Sequence, residues 1–173
     1  MPDRTQIKLG FEGLEEVREK AIYLFYATSG LRKTEALKLN RLVDIDYELR
    51  AVKSKHDTRT KKAGVTFYNK ECEVYLDRYL ASRKDNYANL FRIGSREFLA
   101  IWDKATKNAG VKIRPQILRK WNSTQLGELG VPDRYVDVFQ GRAPKTVLAK
   151  FYTGKGLERL KRIYDKAGLK VLS

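Results

Sequence analysis

The sequence predicts a mainly α-helical fold carrying one small antiparallel β-sheet, and three observations lead there. Apolar residues recur at helical period along most of the chain. Residues 42–68 alternate instead. Prolines and glycines fall where helices start and stop. With 173 residues and 42% hydrophobic content, the chain is long enough to bury a sizeable core as one domain.

Residues 13–28 are helical by period, with Leu14, Val17, Ala21, Leu24 and Thr28 on one face. Gly30 interrupts that helix, and residues 32–40 form a second, shorter one with Leu37 inward. Val43, Ile45 and Tyr47, then Ala51 and Val52, then Val65, Phe67 and Tyr68 read as short strands around a basic turn spanning 53–62. Helical period returns over 69–84, with Cys72, Val74, Tyr75, Tyr79 and Leu80 as core positions. The next helix, 95–108, is capped by Ser95 and stopped at Gly110. Pro115 opens a helix over 116–129, since its absent N–H would be unpaired there anyway. Further helices are expected over 132–139, 145–152 and 157–167, the last of them basic.

Composition narrows the function. Lys and Arg number 36 against 21 Asp and Glu, a net charge of +15 that suits a polyanionic partner. The single cysteine, Cys72, forbids an intrachain disulfide and fits a reducing cytosol. No apolar run approaches the roughly 18 residues of a membrane span, and the N-terminus has no signal-peptide pattern.

The chemistry-bearing residues come in a fixed order. Residues 26–39 read Tyr-Ala-Thr-Ser-Gly-Leu-Arg-Lys-Thr-Glu-Ala-Leu-Lys-Leu. Gly30 allows a tight turn, Arg32 stands at the next helix's N-terminus, where a guanidinium fork and backbone N–H groups both favour a phosphate, and Glu35 can brace that guanidinium. Downstream come Gln116-Ile-Leu-Arg119, then Gly141-Arg142, then Tyr152 at the end of Thr-Val-Leu-Ala-Lys-Phe-Tyr. Judged alone, each piece has a plain structural explanation; the order is the specific signal.

That order resembles the catalytic domain of the tyrosine recombinases, the phage-type integrases, and within them is most similar to integrases of spindle-shaped archaeal viruses. Arg32 matches the family's first box, Arg119 its His-x-x-Arg box, Arg142 its Gly-His or Gly-Trp position, and Tyr152 its nucleophile. Gln116 stands where the family usually has histidine, and one extra residue precedes the tyrosine. The resemblance implies site-specific DNA recombination through a 3′-phosphotyrosyl intermediate, with no cofactor and no metal. Lys55, at the end of the first hairpin strand, best fits the family's general acid, with Lys53, Lys61 and Lys62 as neighbours; His56 reads as a solvated loop histidine. Double-stranded DNA is the implied partner, with self-assembly on it into a tetramer, in the cytoplasm. Residues 1–173 are then expected to be the catalytic domain of a protein whose upstream DNA-binding region lies outside this sequence.

Two other readings come from the residues. Asp44, Asp46 and Glu48 would place three carboxylates on one strand face, as a metal-dependent nuclease needs, although a solvated edge strand explains them more simply. Ten tyrosines on a basic chain suit a non-catalytic nucleic-acid-binding module. Against that, Tyr23, Tyr26, Tyr75 and Tyr79 lie at helical spacing, which favours core packing.

Overall fold

In a computed structural model, which describes residues 1–54 and 64–173, the fold is built around one helix buried on every side. Helix α2 (Val17–Ser29) buries Ala21 through Ser29 without a break. An apolar sequence with no polar face is the signature of a central helix. Its start falls four residues later than the periodicity suggests. Residue 13 ends a separate helix, α1 (Arg4–Glu12), whose Asp3 accepts from the Gln6 amide at 2.9 Å while Gln6 returns the bond. Glu19 caps α2 in turn by accepting from the Glu16 amide.

Helix α3 (Lys33–Leu37) follows the Gly30 turn and buries Ala36, with Leu39 just beyond it; Leu37 is only half-buried. The sheet is antiparallel, in the order β1 (Ile45–Asp46), β2 (Ala51–Lys53), β3 (Val65–Phe67), with Val52 opposite both Ile45 and Thr66. Val43, expected on a strand, is exposed before β1 begins.

Helices α4 (Lys70–Ser82), α5 (Ser95–Ala109) and α6 (Pro115–Glu128) follow; α4 and α6 pack on α2, and α5 packs on α1. In α4 the inward residues are Cys72, Leu76 and Tyr79, while Val74 faces solvent. Gly94, not Ser95, occupies the cap of α5. Pro115 takes the first position of α6, as its chemistry predicts. Tyr23 and Tyr26 are fully buried, which is the core use expected of them.

The chain closes with α7 (Asp133–Phe139), α8 (Lys145–Leu148), a 3₁₀ turn (Ala149–Phe151) and α9 (Gly154–Ala167). Phe67 of β3, Phe139 of α7 and Tyr164 of α9 meet ring against ring, joining the sheet to the C-terminal helices.

Gly30 ends α2 at φ +70°, and a Cβ there would lie 2.5 Å from Asn122 Oδ1 and 2.8 Å from Gln140 Nε2. Gly110 shares the conformation at φ +72° with nothing within 4 Å. Gly110→Ala should therefore cost only the left-handed strain, about 1–2 kcal/mol, whereas Gly30→Ala should cost clearly more. Urea denaturation of both variants checks this; equal losses would mean that the packing around Gly30 yields freely.

Candidate active site

The site grows out of the C-terminal end of α2. A helix leaves its last carbonyls without intrahelical partners, and here they are buried. Asn122 Nδ2 donates to the Ala27 and Thr28 carbonyls at 2.9 and 3.1 Å. The Tyr164 hydroxyl donates to Thr28 O at 2.6 Å and Thr66 Oγ1 to Ser29 O at 2.7 Å. The fourth donor is Arg119.

Arg119 is 9% exposed. Its Nη1 donates to Gly30 O and its Nη2 to Gln140 O, both at 2.7 Å. Two of five guanidinium N–H groups are thus used to fix the plane of the fork, and three remain. Burial lowers its pKa to about 10; the Arg32 charge pushes the same way, Glu35 offsets part of it, and Arg142 adds to the depression. The group stays cationic at neutral pH and feels both other arginines.

Arg32 is the N-cap of α3, with its Nη1 held by Glu35 Oε1 at 2.8 Å; the Glu35 side chain is buried, so this arginine is braced from below. Arg32, Lys33, Thr34, Gln116 and Arg119 line one cavity of about 290 Å³. Gln116 lies exposed in the first turn of α6, where the helix presents backbone N–H groups to an anion.

Arg142 enters through a helix stop. Gly141 N donates to Val138 O and Arg142 N to Asp137 O, with Gly141 at φ +71°: a Schellman closure of α7 that needs glycine at this position. The arginine just past the stop extends back, and its Nη2 donates to Gln140 Oε1 at 2.6 Å. Its side chain is half exposed, unlike that of Arg119.

Tyr152 follows the 3₁₀ turn and is half-buried, its hydroxyl 3.5 Å from the Ser54 carbonyl at the end of the first hairpin strand. The expected helix over 145–152 is therefore two short pieces. Gly156 explains the tightening: a Cβ there would fall on the Lys150 carbonyl, so α9 crosses directly over the turn that carries Tyr152. Lys53 pairs with Val65 across the hairpin. Lys55, His56, Lys61 and Lys62 lie outside the described residues. The structure thus brings Arg32, Gln116 and Arg119 to one cavity, links Arg142 to them through Gln140, and sets Tyr152 beside the strand that leads to Lys55.

The three carboxylates of the nuclease reading do not share a face. Asp44 is buried and accepts from the Asn40 amide at 2.7 Å, Asp46 accepts from the Leu49 amide at 3.1 Å, and Glu48 is exposed in the turn between β1 and β2. They close turns instead of facing a common point. No group of three or more His, Cys, Asp or Glu among the described residues is placed to hold a metal. No helix among them is long and apolar enough to cross a membrane.

Sequence reasoning did not find Asn122, Gln140 or Gly156. A signal for Asn122 was present: Leu118, Asn122 and Leu126 fall on one stripe of α6, so an amide sits where a core residue is due.

Against solved structures, the fold matches that of XerA recombinase, with a TM-score of 0.70 and 21% identity over 93% of this chain and 61% of that one. It also matches the integrase from mycobacterium phage Brujita (0.69, 18% identity, 96% of this chain and 58% of that one). A third match is the Tn1549 transposon integrase, solved in complex with circular intermediate DNA (0.60, 18% identity, 92% and 62%). The fold is that of tyrosine recombinase catalytic domains, and the chain spans about three fifths of the length of these structures. The family model of archaeal phage integrases matches residues 1–167, and the chain belongs to that family. A comparison with curated protein sequences finds no match.

An anion should relieve the repulsion among these arginines. At equal ionic strength, sulfate at ten times its dissociation constant should stabilise the fold by about 1.4 kcal/mol relative to chloride. That corresponds to roughly 3–6 °C in Tm for a chain of this size. The shift should vanish in Arg32→Ala; a sulfate shift that survives there would place the anion elsewhere.

Proposed function

We propose that this chain is the catalytic domain of a site-specific DNA recombinase that cleaves and rejoins DNA through Tyr152. The observation that carries the reading is the cavity shared by Arg32, Gln116 and Arg119, with the Arg142 charge acting on the same guanidinium.

In this reading the scissile phosphate sits against Arg32 and Arg119. The Tyr152 oxygen attacks phosphorus, a bond to the 5′ oxygen breaks, and a 3′-phosphotyrosyl linkage results. Tyrosine has a pKa near 10, so about 0.1% is ionised at pH 7, and its proton passes to solvent as the bond forms. Gln116 can donate a hydrogen bond to the phosphate but cannot take that proton. Negative charge on the non-bridging oxygens in the pentacoordinate transition state meets fixed guanidinium donors, which supply the stabilisation without a metal; removing one such donor typically costs about 3–4 kcal/mol. Lys55 protonates the departing 5′ oxygen. Rejoining is the reverse, with a DNA hydroxyl attacking the phosphotyrosine.

The partner is double-stranded DNA, bound mainly through phosphates by the basic surface, with assembly as a tetramer on two sites, in the cytoplasm of the host cell. Residues 1–173 are taken as the catalytic domain of a longer protein with an upstream DNA-binding region.

Tyr152→Phe should abolish the covalent adduct formed on a nicked suicide duplex, while DNA affinity stays within a few-fold, because many Lys and Arg contacts carry the affinity. An adduct persisting in this variant, mapped to another residue, would falsify the assignment.

Lys55→Ala should slow cleavage of ordinary DNA yet largely recover when sulfur replaces the 5′ bridging oxygen. A thiolate departs without a proton, whereas an alkoxide does not. Arg32→Ala and Arg119→Ala should gain nothing from sulfur, since they act on the non-bridging oxygens. Rescue of Lys53→Ala instead would move the acid two residues along the hairpin.

A further inference from the structure

We infer that Gln140 is a positioning residue of this site, whose side-chain amide aims Arg142 at the phosphate; the inference rests on the proposed function. Gln140 is 1% exposed and lies between α7 and the Gly141 turn. Its amide makes three bonds, and the surrounding groups dictate which way round it sits. Asn122 Nδ2 faces two carbonyls, Ala27 O and Thr28 O, so Asn122 Oδ1 must point the other way. There it accepts from Gln140 Nε2 at 3.2 Å, and the same nitrogen donates to Arg119 O at 2.9 Å. With its nitrogen held by two acceptors, Gln140 can turn only Oε1 outward, and that oxygen takes Arg142 Nη2 at 2.6 Å. Donor and acceptor polarity therefore runs unbroken from the buried end of α2, through Asn122 and Gln140, to a guanidinium whose side chain is half exposed.

The arrangement solves a specific problem. Arg119 is fixed by burial and by two backbone carbonyls, but among the described residues Arg142 is held by little else: its carboxylate neighbour, Asp137, is 3.9 Å away and itself half exposed. A long side chain at the surface samples many rotamers, and a donor that must first be ordered contributes less to a transition state than one already in place. Gln140 supplies that order without introducing a negative charge among the three arginines. A carboxylate would pair with Arg142 but would set its oxygens against Arg119 O and Asn122 Oδ1. The backbone carbonyl of residue 140 holds Arg119 independently of the side chain, so substitution at this position separates the two functions.

The test is a double-mutant cycle on single-turnover cleavage of a nicked suicide duplex taken from the integration junction. Gln140→Met keeps length and volume but removes every polar bond of the side chain. Arg142→Ala should slow cleavage about 10²-fold. Gln140→Met should slow it about tenfold in the native background and less than about threefold when Arg142 is already alanine. A purely structural role would move melting temperature and cleavage alike and leave the two losses multiplicative; multiplicative losses overturn the inference. If Gln140→Met does not fold, Gln140→Asn, which keeps the amide but withdraws it by one methylene, goes through the same cycle with the same expectation. Wild-type rates for Arg142→Ala would also overturn it. Both variants should still form the Tyr152 adduct, and loss or relocation of that adduct is read as failure of the proposed function instead.

Discussion

Four consecutive carbonyls at the end of α2, those of Ala27, Thr28, Ser29 and Gly30, are the constraint on which the rest of the structure depends. They are buried, and a helix cannot satisfy its own last carbonyls. Leaving one unpaired would cost about 1–3 kcal/mol, a large share of a domain's net stability. The chain answers with donors from α6, β3 and α9, so the pieces of sequence farthest apart are drawn to one point. The sheet, the central helix and the C-terminal helix are joined there by hydrogen bonds as well as by the Phe67, Phe139 and Tyr164 rings.

One of those donors is an arginine, and this makes fold and site inseparable. A helix C-terminus carries partial negative charge, which favours a cation beside it. Arg119 thus satisfies a carbonyl, complements the helix end, and holds three further N–H groups in a fixed plane. The cost is visible in its pKa, lowered by burial and by the charges of Arg32 and Arg142. Arg32 and Arg142 both act on Arg119, a clustering of positive charge that a site built for an oxygen anion would keep; Glu35 pairs with Arg32 and offsets part of the effect on Arg119, and Asp137 lies 3.9 Å from Arg142.

How much of this the sequence discloses depends on whether a residue's role is local. Gly30, Gly110 and Pro115 announce their turns because backbone geometry depends on the residue itself. The order of Arg32, Arg119, Arg142 and Tyr152 is legible for another reason: the chemistry proposed for them requires groups of fixed type. Gln140 and Asn122 were not read, because a buried amide is specified by partners tens of residues away. The start of α2 was misplaced for a similar reason. Period alone carries through residues 13–16, whereas the break there is made by the Gly13 C-cap of α1 and the Glu16–Glu19 capping box of α2. Asp44 and Asp46 misled in the opposite sense: alternation implied a shared face, but each carboxylate is consumed by a nearby amide in a turn.

The arginines also differ in how firmly they are held, and the difference follows burial. Arg119 is locked by backbone carbonyls, Arg32 by a buried carboxylate on its own helix, and Arg142 by a side-chain amide. A donor fixed before the reaction stabilises developing charge without reorganising, whereas an exposed one must be ordered each time. Lysine in place of Arg119 could supply charge but not the two coplanar bonds to Gly30 O and Gln140 O that orient the remaining donors. The planar fork is therefore required inward, by the carbonyls that close the fold, and in the proposed function it is required a second time outward, by the oxygens of a phosphate.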